Sequence, residues 1–297
     1  MKKLLLILAI VLLLAGVGLL LFPTVSNFAG TKISQAQTDK YEERLKHVVP
    51  GMTRDDAVKQ GIINEKGEYI KGTNSGQNSG GNCDDNGGEV VEYYEYEVYD
   101  SPVLFELDLD RLYSDCLKYN ADIRENQSSL LIDEDAYQEP VIDLSKYGIY
   151  DDVFGYVSIP SIDMRLPIYL GANGENMSYG AAHMTYTTLP MGEKRSNCVL
   201  AGHTDYIGRI FFDNLRRLSP GDEVYIRNFW DNFSYRVIDT AVYAPDQSQA
   251  IYISDDRDLL TMFTCIPDGN GDFNRFFVIC ERVVDQASDP SPGSEKP

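Results

Sequence analysis

Histidine, tryptophan and basic residues are scarce in this chain. Its 297 residues include three histidines, one tryptophan and five cysteines. The cysteines lack the paired spacing of a metal-binding motif, so a zinc site is not expected. The 26 basic residues face 46 acidic ones, and the formal net charge is −20. This balance argues against nucleic acid or anionic lipid as a partner. Because the cysteine count is odd, at least one thiol stays unpaired.

Long hydrophobic runs are also absent, apart from one at the start. Two lysines precede 19 uncharged, mostly apolar residues, 4–22. At about 1.5 Å per residue this run nearly spans a bilayer core of about 30 Å. A secretory signal peptide is the alternative, but its apolar region is usually about 7–15 residues long. No small-x-small cleavage site follows the run. We therefore expect a membrane anchor over residues 1–26, with the rest of the chain outside the cytoplasm.

The chain after this anchor divides into an arm and a β-rich body. Residues 27–152 are interpreted as a helical arm that carries a polar, acidic insert over about 48–101. The centre of the insert, 72–88, is built from Gly, Ser, Asn and Asp and predicts a loop. Helical spacing returns over 108–124, where Leu112, Cys116, Leu117 and Tyr119 share one face. A polar tail over 286–297 ends the sequence.

Short strands separated by turns fill residues 153–285. Apolar and β-branched residues predict seven strands, with one helical turn over 209–218. Few helices and short strand spacing indicate an all-β barrel or sandwich. The predicted strands are 155–159, 166–170, 197–201, 223–228, 233–243, 259–265 and 276–284.

Cys265, Arg275 and His203 supply a complete set of groups for acyl transfer. A thiol can attack a carbonyl, an imidazole can return a proton to a leaving amine, and a cation can stabilise an oxyanion. Cys265 ends one predicted strand, and Arg275 stands just before the next, with a loop of Pro, Gly and Asn between them. We expect the thiol and the guanidinium to face each other at the rim of a sheet.

Three segments in this order resemble the sortase family. The first is Gly-Tyr-Val-Ser-Ile-Pro-Ser-Ile-Asp at 155–163, followed by Leu-Pro-Ile-Tyr at 166–169. The second is Val-Leu-Ala-Gly-His at 199–203, and the third is Thr-Met-Phe-Thr-Cys at 261–265 with Arg275 after it. The resemblance covers roughly 153–284. It implies a mainly β fold, a closed barrel of about eight strands with short helices, preceded by a membrane helix and a helical arm.

Class C sortases, the pilin polymerases, resemble the chain most. Residues 22–27 are similar to their juxtamembrane segment, and 118–121 are similar to the helix before their barrel. Class C enzymes carry a lid with an Asp-Pro-aromatic motif. Asp135-Ala136-Tyr137 lies in the corresponding interval without the proline, so residues 130–144 are interpreted as a possible lid. The alternative is a plain connector in which Tyr137 packs on the side of the barrel.

The resemblance also implies roles for individual residues. Cys265 is the nucleophile, His203 the acid and later the base, and Arg275 the group that stabilises the oxyanion. Thr264 and His183 are candidates for substrate binding or for lining the cleft. His183 competes with His203 for the imidazole role, or it satisfies a local hydrogen bond. No metal or organic cofactor is needed.

The implied activity is transpeptidation at a sorting signal resembling Leu-Pro-x-Thr-Gly. A thioester forms on the enzyme, and an amine resolves it. That amine is a pilin lysine in pilus assembly, or a peptidoglycan amine in the attachment of surface proteins. A non-catalytic β-domain that only binds sorting signals is the alternative from another class. A papain-like protease fits less well, because in such enzymes the cysteine precedes the histidine.

Overall fold

A computed structural model gives the fold of the chain. It describes residues 2–46, 59, 68–70, 98–102, 108–131, 137–140, 142–205, 208–245, 247, 249–253 and 256–284. The centre of the polar insert, residues 72–88, and Asp135 of the possible lid lie outside these ranges. Two short strands, β1 (Glu68–Ile70) and β2 (Val98–Pro102), pair antiparallel within the insert region.

Eight further strands form one closed barrel. Their order around the barrel is β10-β8-β7-β3-β4-β5-β6-β9, and β9 pairs with β10 to close it. The mainly β fold and the closed barrel predicted from the sequence are confirmed. The strands are β3 (Val153–Ile159), β4 (Met164–Leu170), β5 (Ala181–His183), β6 (Ser196–Ala201), β7 (Glu223–Arg227), β8 (Asn232–Tyr243), β9 (Asp258–Pro267) and β10 (Phe273–Arg282).

Within the ranges given above, the α-helices that accompany the barrel are α1 (Lys2–Lys46), α2 (Leu109–Leu130) and α3 (Gly174–Met177). Single 3-10 turns lie at Leu144–Tyr147, Pro160–Ile162, Leu215–Arg217 and Gln249–Ile251. The helical turn predicted over 209–218 therefore shrinks to one 3-10 turn, because residues 209–214 form a loop. Strand β5 was not predicted, since three residues reading Ala-Ala-His carry no strand pattern.

Helix α1 is apolar and exposed in its first half and packs on the barrel in its second half. It is the one helix in the described ranges that is long and apolar enough to cross a membrane, a test that a signal sequence also passes. Further along, Tyr41 is buried, and its hydroxyl donates to the Phe154 carbonyl at 3.1 Å. Tyr156 donates to Glu42 at 2.7 Å. These bonds fix the second half of α1 on β3.

Helix α2 holds two barrel loops through buried polar side chains. Asn120 is fully buried, and its amide both donates to and accepts from the backbone of Leu189, at 3.1 and 2.8 Å. Gln127 donates to the Tyr186 carbonyl and accepts from the Ile253 N–H. Because a buried polar group must find a partner, these bonds fix the register of α2 against the loops. The apolar face buries Leu112, Cys116 and Ile123.

Side chains of β9 alternate between the barrel interior and an outer apolar cluster. Leu260 and Met262 lie in the interior core with Leu200 and Val278. Phe263 packs with residues of the opposite face, here called the outer cluster. Its buried members are Ala172, Ala182, Met184, Val199, Ala201, Ile251 and Phe277. Successive residues of a strand point to opposite faces, so Cys265 shares the face of Phe263.

His183 is buried on β5, so it does not line a cleft. Only 3% of its surface is exposed, and its Nε2 lies 3.2 Å from both the Thr188 carbonyl and the Thr187 hydroxyl. Burial lowers its pKa from 6.5 to about 4. The cleft-lining interpretation is therefore wrong, and the alternative of a local hydrogen bond describes this histidine.

Asp258 is a second buried titratable group, at the start of β9. Its Oδ1 accepts hydrogen bonds from Ser196 at 3.0 Å and Tyr235 at 3.1 Å. Burial raises the pKa of this carboxyl from 3.8 to about 6, against the lowering effect of those bonds. Burial thus disfavours the charged form of both groups, so that His183 is neutral near pH 7 and Asp258 ionises at a higher pH than an exposed carboxyl does.

These two groups should give opposite pH dependences of stability. A raised carboxyl pKa contributes stability below pH 3.8 that is lost as the pH rises through about 6. A lowered imidazole pKa contributes stability above pH 6.5 that is lost as the pH falls through about 4. Relative to the native protein, His183→Gln should therefore be more destabilised at about pH 6 than at about pH 4, and Asp258→Asn should be more destabilised at about pH 4 than at about pH 6. Thermal unfolding followed by Trp230 fluorescence measures both differences, and differences from the native protein that do not change with pH would contradict the assignment.

Candidate active site

Strand β9 lies between a parallel and an antiparallel neighbour. Its antiparallel pairing with β10 places Cys265 directly opposite Arg275. Its parallel pairing with β6 places Phe263 beside Ala201. Cys265 comes two residues after Phe263, and His203 comes two residues after Ala201. The backbone positions of Cys265, Arg275 and His203 therefore stand at one level on three neighbouring chain segments. The expected juxtaposition of Cys265 and Arg275 at the rim of the sheet is present.

Cys265 is the exposed thiol among the described cysteines. Cys116, Cys198 and Cys280 are buried. Burial raises the pKa of the Cys116 thiol to about 12 and also raises those of Cys198 and Cys280. Since the thiolate is the nucleophile, these three thiols are both inaccessible and unreactive at neutral pH. Nucleophilic chemistry in the described region therefore falls to Cys265.

His203 is held beside β9 by bonds from the neighbouring backbone. The Gly202 N–H donates to the Phe263 carbonyl at 3.2 Å, and the Thr264 hydroxyl donates to the Gly202 carbonyl at 2.8 Å. The Phe212 N–H donates to the carbonyl of His203 itself at 3.0 Å. Partial burial lowers the pKa of the imidazole below its ordinary value of 6.5. The histidine is thus anchored at its backbone on two sides.

Gly202 is required by the close approach of an aromatic ring. A Cβ at this position would lie 2.7 Å from two ring atoms of Phe212. Phe212 is fully buried in the barrel core. Any larger residue at 202 would have to displace either this ring or the chain that leads into His203. Neither Gly202 nor Phe212 was identified from the sequence, because their contact joins residues that are ten positions apart in a loop.

Arg275 lies over an aromatic ring instead of pairing with a carboxylate. Its guanidinium carbon is 5.7 Å from the centroid of the Phe263 ring. Phe263 in turn stacks on Phe277 at 5.2 Å. Within the described ranges no acidic side chain forms an ion pair with Arg275. A cation–π contact holds the planar group on the face of the sheet and leaves its N–H donors available for a ligand.

Phe263 is a site residue that the sequence analysis passed over. It occupies the variable position of the Thr-Met-Phe-Thr-Cys segment, so the motif gave no role to it. Strand periodicity contains the missing signal, because residues two apart in a strand share a face. By that rule Phe263 lies beside the thiol of Cys265, on the floor from which a substrate carbonyl would be approached.

Thr264 is buried, with 2% of its surface exposed, and its hydroxyl is used by the Gly202 carbonyl. The sequence suggested that Thr264 binds substrate or lines the cleft, but its buried and hydrogen-bonded side chain does neither. It holds the backbone that precedes His203 against β9. This follows from the strand alternation, which turns Thr264 away from the face of Cys265.

Tyr137 packs on the outer cluster, together with Phe263. Its carbonyl accepts the N–H groups of Ala172 at 3.0 Å and Thr185 at 3.1 Å. The middle of the 130–144 segment is therefore attached to the loops beside β5. Because Asp135 lies outside the described ranges, the lid stays a prediction. In the described part of the chain no cluster of His, Cys, Asp or Glu has the composition to hold a metal ion.

Loss of the Thr264 hydroxyl should disturb His203 without changing the cleft surface. In Thr264→Val the buried Gly202 carbonyl loses its donor, at a cost of about 1–3 kcal/mol for the unsatisfied group. We expect the rate at which Cys265 processes a substrate to fall, while Thr264→Ser retains the rate. Thr240→Val on β8 serves as the control. Steady-state kinetics measure the effect, and equal rates for Val and Ser at 264 would contradict it.

A family model described as the sortase domain matches residues 157–283. Sortase A of Bacillus anthracis is 28% identical over 114 residues, which make up 38% of this chain and 52% of that protein. The chain thus spans about half the length of the curated relatives it matches. The family-model match covers all of β4 to β10 and the last three residues of β3, and it contains Cys265, His203 and Arg275.

Solved structures agree with this match. The lid mutant of Streptococcus agalactiae sortase C1 is 28% identical, with a TM-score of 0.51, over 60% of this chain and 90% of that one. Clostridium perfringens sortase C, solved with a C-terminal cell wall sorting motif, is 29% identical, with a TM-score of 0.50, over the same shares. With its closed barrel and its matching motif residues, the chain carries a sortase domain over residues 157–283 and has class C sortases among its structural relatives.

Proposed function

We propose that this protein is a membrane-anchored cysteine transpeptidase that cleaves a sorting signal and joins it to an amine. The observation that carries the proposal is the register of β9, which sets Cys265 opposite Arg275 and level with His203. The accessible thiol, the half-buried imidazole and a guanidinium that lies over the Phe263 ring are the three groups that acyl transfer requires.

The first half-reaction forms a thioester. The Cys265 thiolate attacks the carbonyl carbon of the threonine in a signal resembling Leu-Pro-x-Thr-Gly, and a C–S bond forms. Arg275 donates to the oxyanion of the tetrahedral intermediate. The C–N bond to glycine then breaks, and the His203 imidazolium gives its proton to the leaving amine. The acyl group stays on sulfur, and the imidazole is left neutral.

The second half-reaction transfers the acyl group to an incoming amine. The neutral His203 accepts a proton from that amine as its nitrogen attacks the thioester carbonyl. The C–S bond breaks, an amide forms, and the thiolate of Cys265 is restored. Because burial lowers the pKa of His203, the protonated acid of the first step is a minor species at neutral pH, and its fraction falls as the pH rises. No step requires a metal or an organic cofactor.

The relatives support a choice between two kinds of acceptor amine. Class C sortases among the structural neighbours favour a pilin lysine and hence pilus assembly. A peptidoglycan amine, used to attach surface proteins, is the alternative suggested by the sortase A relative. The sorting motif bound to the Clostridium perfringens enzyme supports a signal of the same kind here. Helix α1 would anchor the protein in the cell membrane, with the barrel outside the cytoplasm.

Replacement of the thiol tests the proposal directly. The full chain in detergent micelles is incubated with a Leu-Pro-x-Thr-Gly peptide and a lysine-bearing pilin or a peptidoglycan amine. The native chain should form a thioester visible by mass spectrometry and then an amide product, and Cys265→Ala should form neither. Product formation by Cys265→Ala would refute the reaction, and thioester formation without transfer to any amine would leave a hydrolase.

Arg275→Lys is the second arm of this experiment, matched by Arg216→Lys at an exposed position. Lysine keeps the charge but lacks the planar guanidinium, in which two N–H groups can donate to the oxyanion together. Most activity should be lost at 275 and retained at 216. Equal activity of the two variants would remove Arg275 from the oxyanion role.

We also propose that residues 130–144 form a lid over Cys265, with Tyr137 as its aromatic residue. Tyr137 shares the outer cluster with Phe263, on the face that carries the thiol. Tyr137→Ala together with Asp135→Ala should speed modification of Cys265 by a thiol reagent several-fold, whereas Tyr150→Ala, at a residue 76% exposed, should not. An unchanged rate would favour the plain connector.

A further inference from the structure

Helix α1 meets the loop that follows His203 at very short range. A Cβ placed on Gly30 would lie 2.2 Å from the Gly208 carbonyl oxygen and 2.9 Å from the Arg209 Cα. From the other side, a Cβ on Gly208 would lie 2.7 Å from the Ser26 hydroxyl, and Gly208 has a φ of +87°. Backbone therefore packs on backbone here, which only glycine permits.

The loop on the other side of this contact is closed on itself. The Asp213 carboxylate accepts the N–H groups of Asp205 at 2.8 Å and Phe211 at 2.9 Å. The Phe212 N–H returns to the His203 carbonyl. Phe211 and Phe212 are both fully buried. A displacement of Gly208 is thus passed to the chain that carries His203, because the two ends of the loop are bonded together.

The helix is equally well fixed beyond Gly30. Asp39 forms an ion pair with Arg165 of β4, and the bonds of Tyr41 and Glu42 reach β3. A cleft of about 220 Å³ separates α1 from the barrel between these contacts and Gly30, lined by Thr31 and Ser34 of the helix and Phe211 of the loop. Helix and barrel are therefore in contact on both sides of this cleft, and one of these contacts is with the loop that follows His203.

The contact also sets the height of the loop above a membrane. Gly30 lies eight residues after Phe22, the last residue of the apolar run, and at about 1.5 Å per residue this is about 12 Å along the helix. The headgroup layer extends about 5–8 Å beyond the hydrocarbon core. In a bilayer spanned by the apolar run, the Gly208 loop would therefore stand just above the headgroups.

We propose that α1 is a positioning element of the active site as well as an anchor. The side of the helix that carries Gly30 packs on the loop that begins at His203. This contact keeps the imidazole beside Cys265 and close to the bilayer surface. This inference rests on the proposed transpeptidase function. It assigns Gly30 and Ser26, residues outside the family match, to the support of the catalytic histidine.

Gly30→Leu tests the proposal, and Gly18→Leu is the matched control. A Cβ at Gly18 meets nothing within 4 Å, and leucine suits an apolar run. Both variants are studied as full chains in phosphatidylcholine vesicles. For Gly30→Leu we expect kcat for peptide transfer to fall roughly 10- to 100-fold, because small misplacements of a catalytic group have effects of this size. KM should not change, since the face of Phe263 and Arg275 is untouched.

The pH profile of Cys265 alkylation by iodoacetamide is the second readout, and it needs no substrate. Gly30→Leu should lose the limb that reports His203 and resemble His203→Ala, while Gly18→Leu should retain the native profile. Cys198 and Cys280 are buried, so iodoacetamide modifies them only in unfolded molecules. Peptide mapping of these two cysteines therefore measures the unfolded fraction, and the profiles are compared for the folded fraction only. Gly30→Ala, whose methyl group already meets the Gly208 oxygen, is a milder second variant.

The outcomes separate the two proposals. A folded Gly30→Leu with native kcat and a native alkylation profile would overturn the positioning role of α1. A native chain that transfers no peptide would overturn the proposed function, and the alkylation profiles would still decide the role of Gly30. A fall in kcat of the same size in Gly18→Leu would assign the effect to membrane insertion and reject the loop contact as its cause.

Discussion

The position of β9 between a parallel and an antiparallel neighbour is the constraint on which the site depends. Either pairing alone would bring only two of the three groups together. The antiparallel register sets Arg275 opposite Cys265, and the parallel register with β6 carries the chain to His203 at the same level. Since a slip of one residue turns every side chain of a strand to the other face, the register also decides that Cys265 and Phe263 point outward. The interior core residues Leu260 and Met262 hold that register, because a slip would expose them.

Aromatic packing keeps the arginine available, whereas an ion pair would not. A carboxylate beside Arg275 would neutralise the charge and occupy the donors that a substrate oxygen needs. The Phe263 ring supplies about 0.5–2 kcal/mol of attraction without using those donors. Phe263 is supported by Phe277 beneath it, and the outer cluster supports both. The stacked rings of Phe263 and Phe277 thus orient the guanidinium, and its N–H donors remain available for the reaction.

Much of the barrel and the three reactive groups could be predicted because their signals are local. Strand alternation and the Thr-Met-Phe-Thr-Cys segment lie within a few residues of Cys265, and seven of the eight barrel strands were found in this way. The burial of His183 could not be predicted, since it depends on a short strand and on contacts of the imidazole with the Thr187 hydroxyl and the Thr188 carbonyl. Gly202 and Gly30 were missed for a related reason. Each meets a backbone or a ring that only the tertiary fold brings near.

The extent of burial distinguishes the reactive histidine and cysteine from the other residues of the same type. His183 is the last residue of β5, and His203 follows the neighbouring strand β6. Burial lowers the pKa of His183 to about 4, so its imidazole is neutral near pH 7. His203 is only partly buried, and its pKa is lowered less completely by the same cause. Cys265 is likewise distinguished from three buried thiols by exposure. The partial burial of His203 depends on a loop that Phe212 holds from the core and α1 holds from outside. With the positioning role proposed for α1, this helix thus contributes to the proton chemistry of a residue that it does not carry.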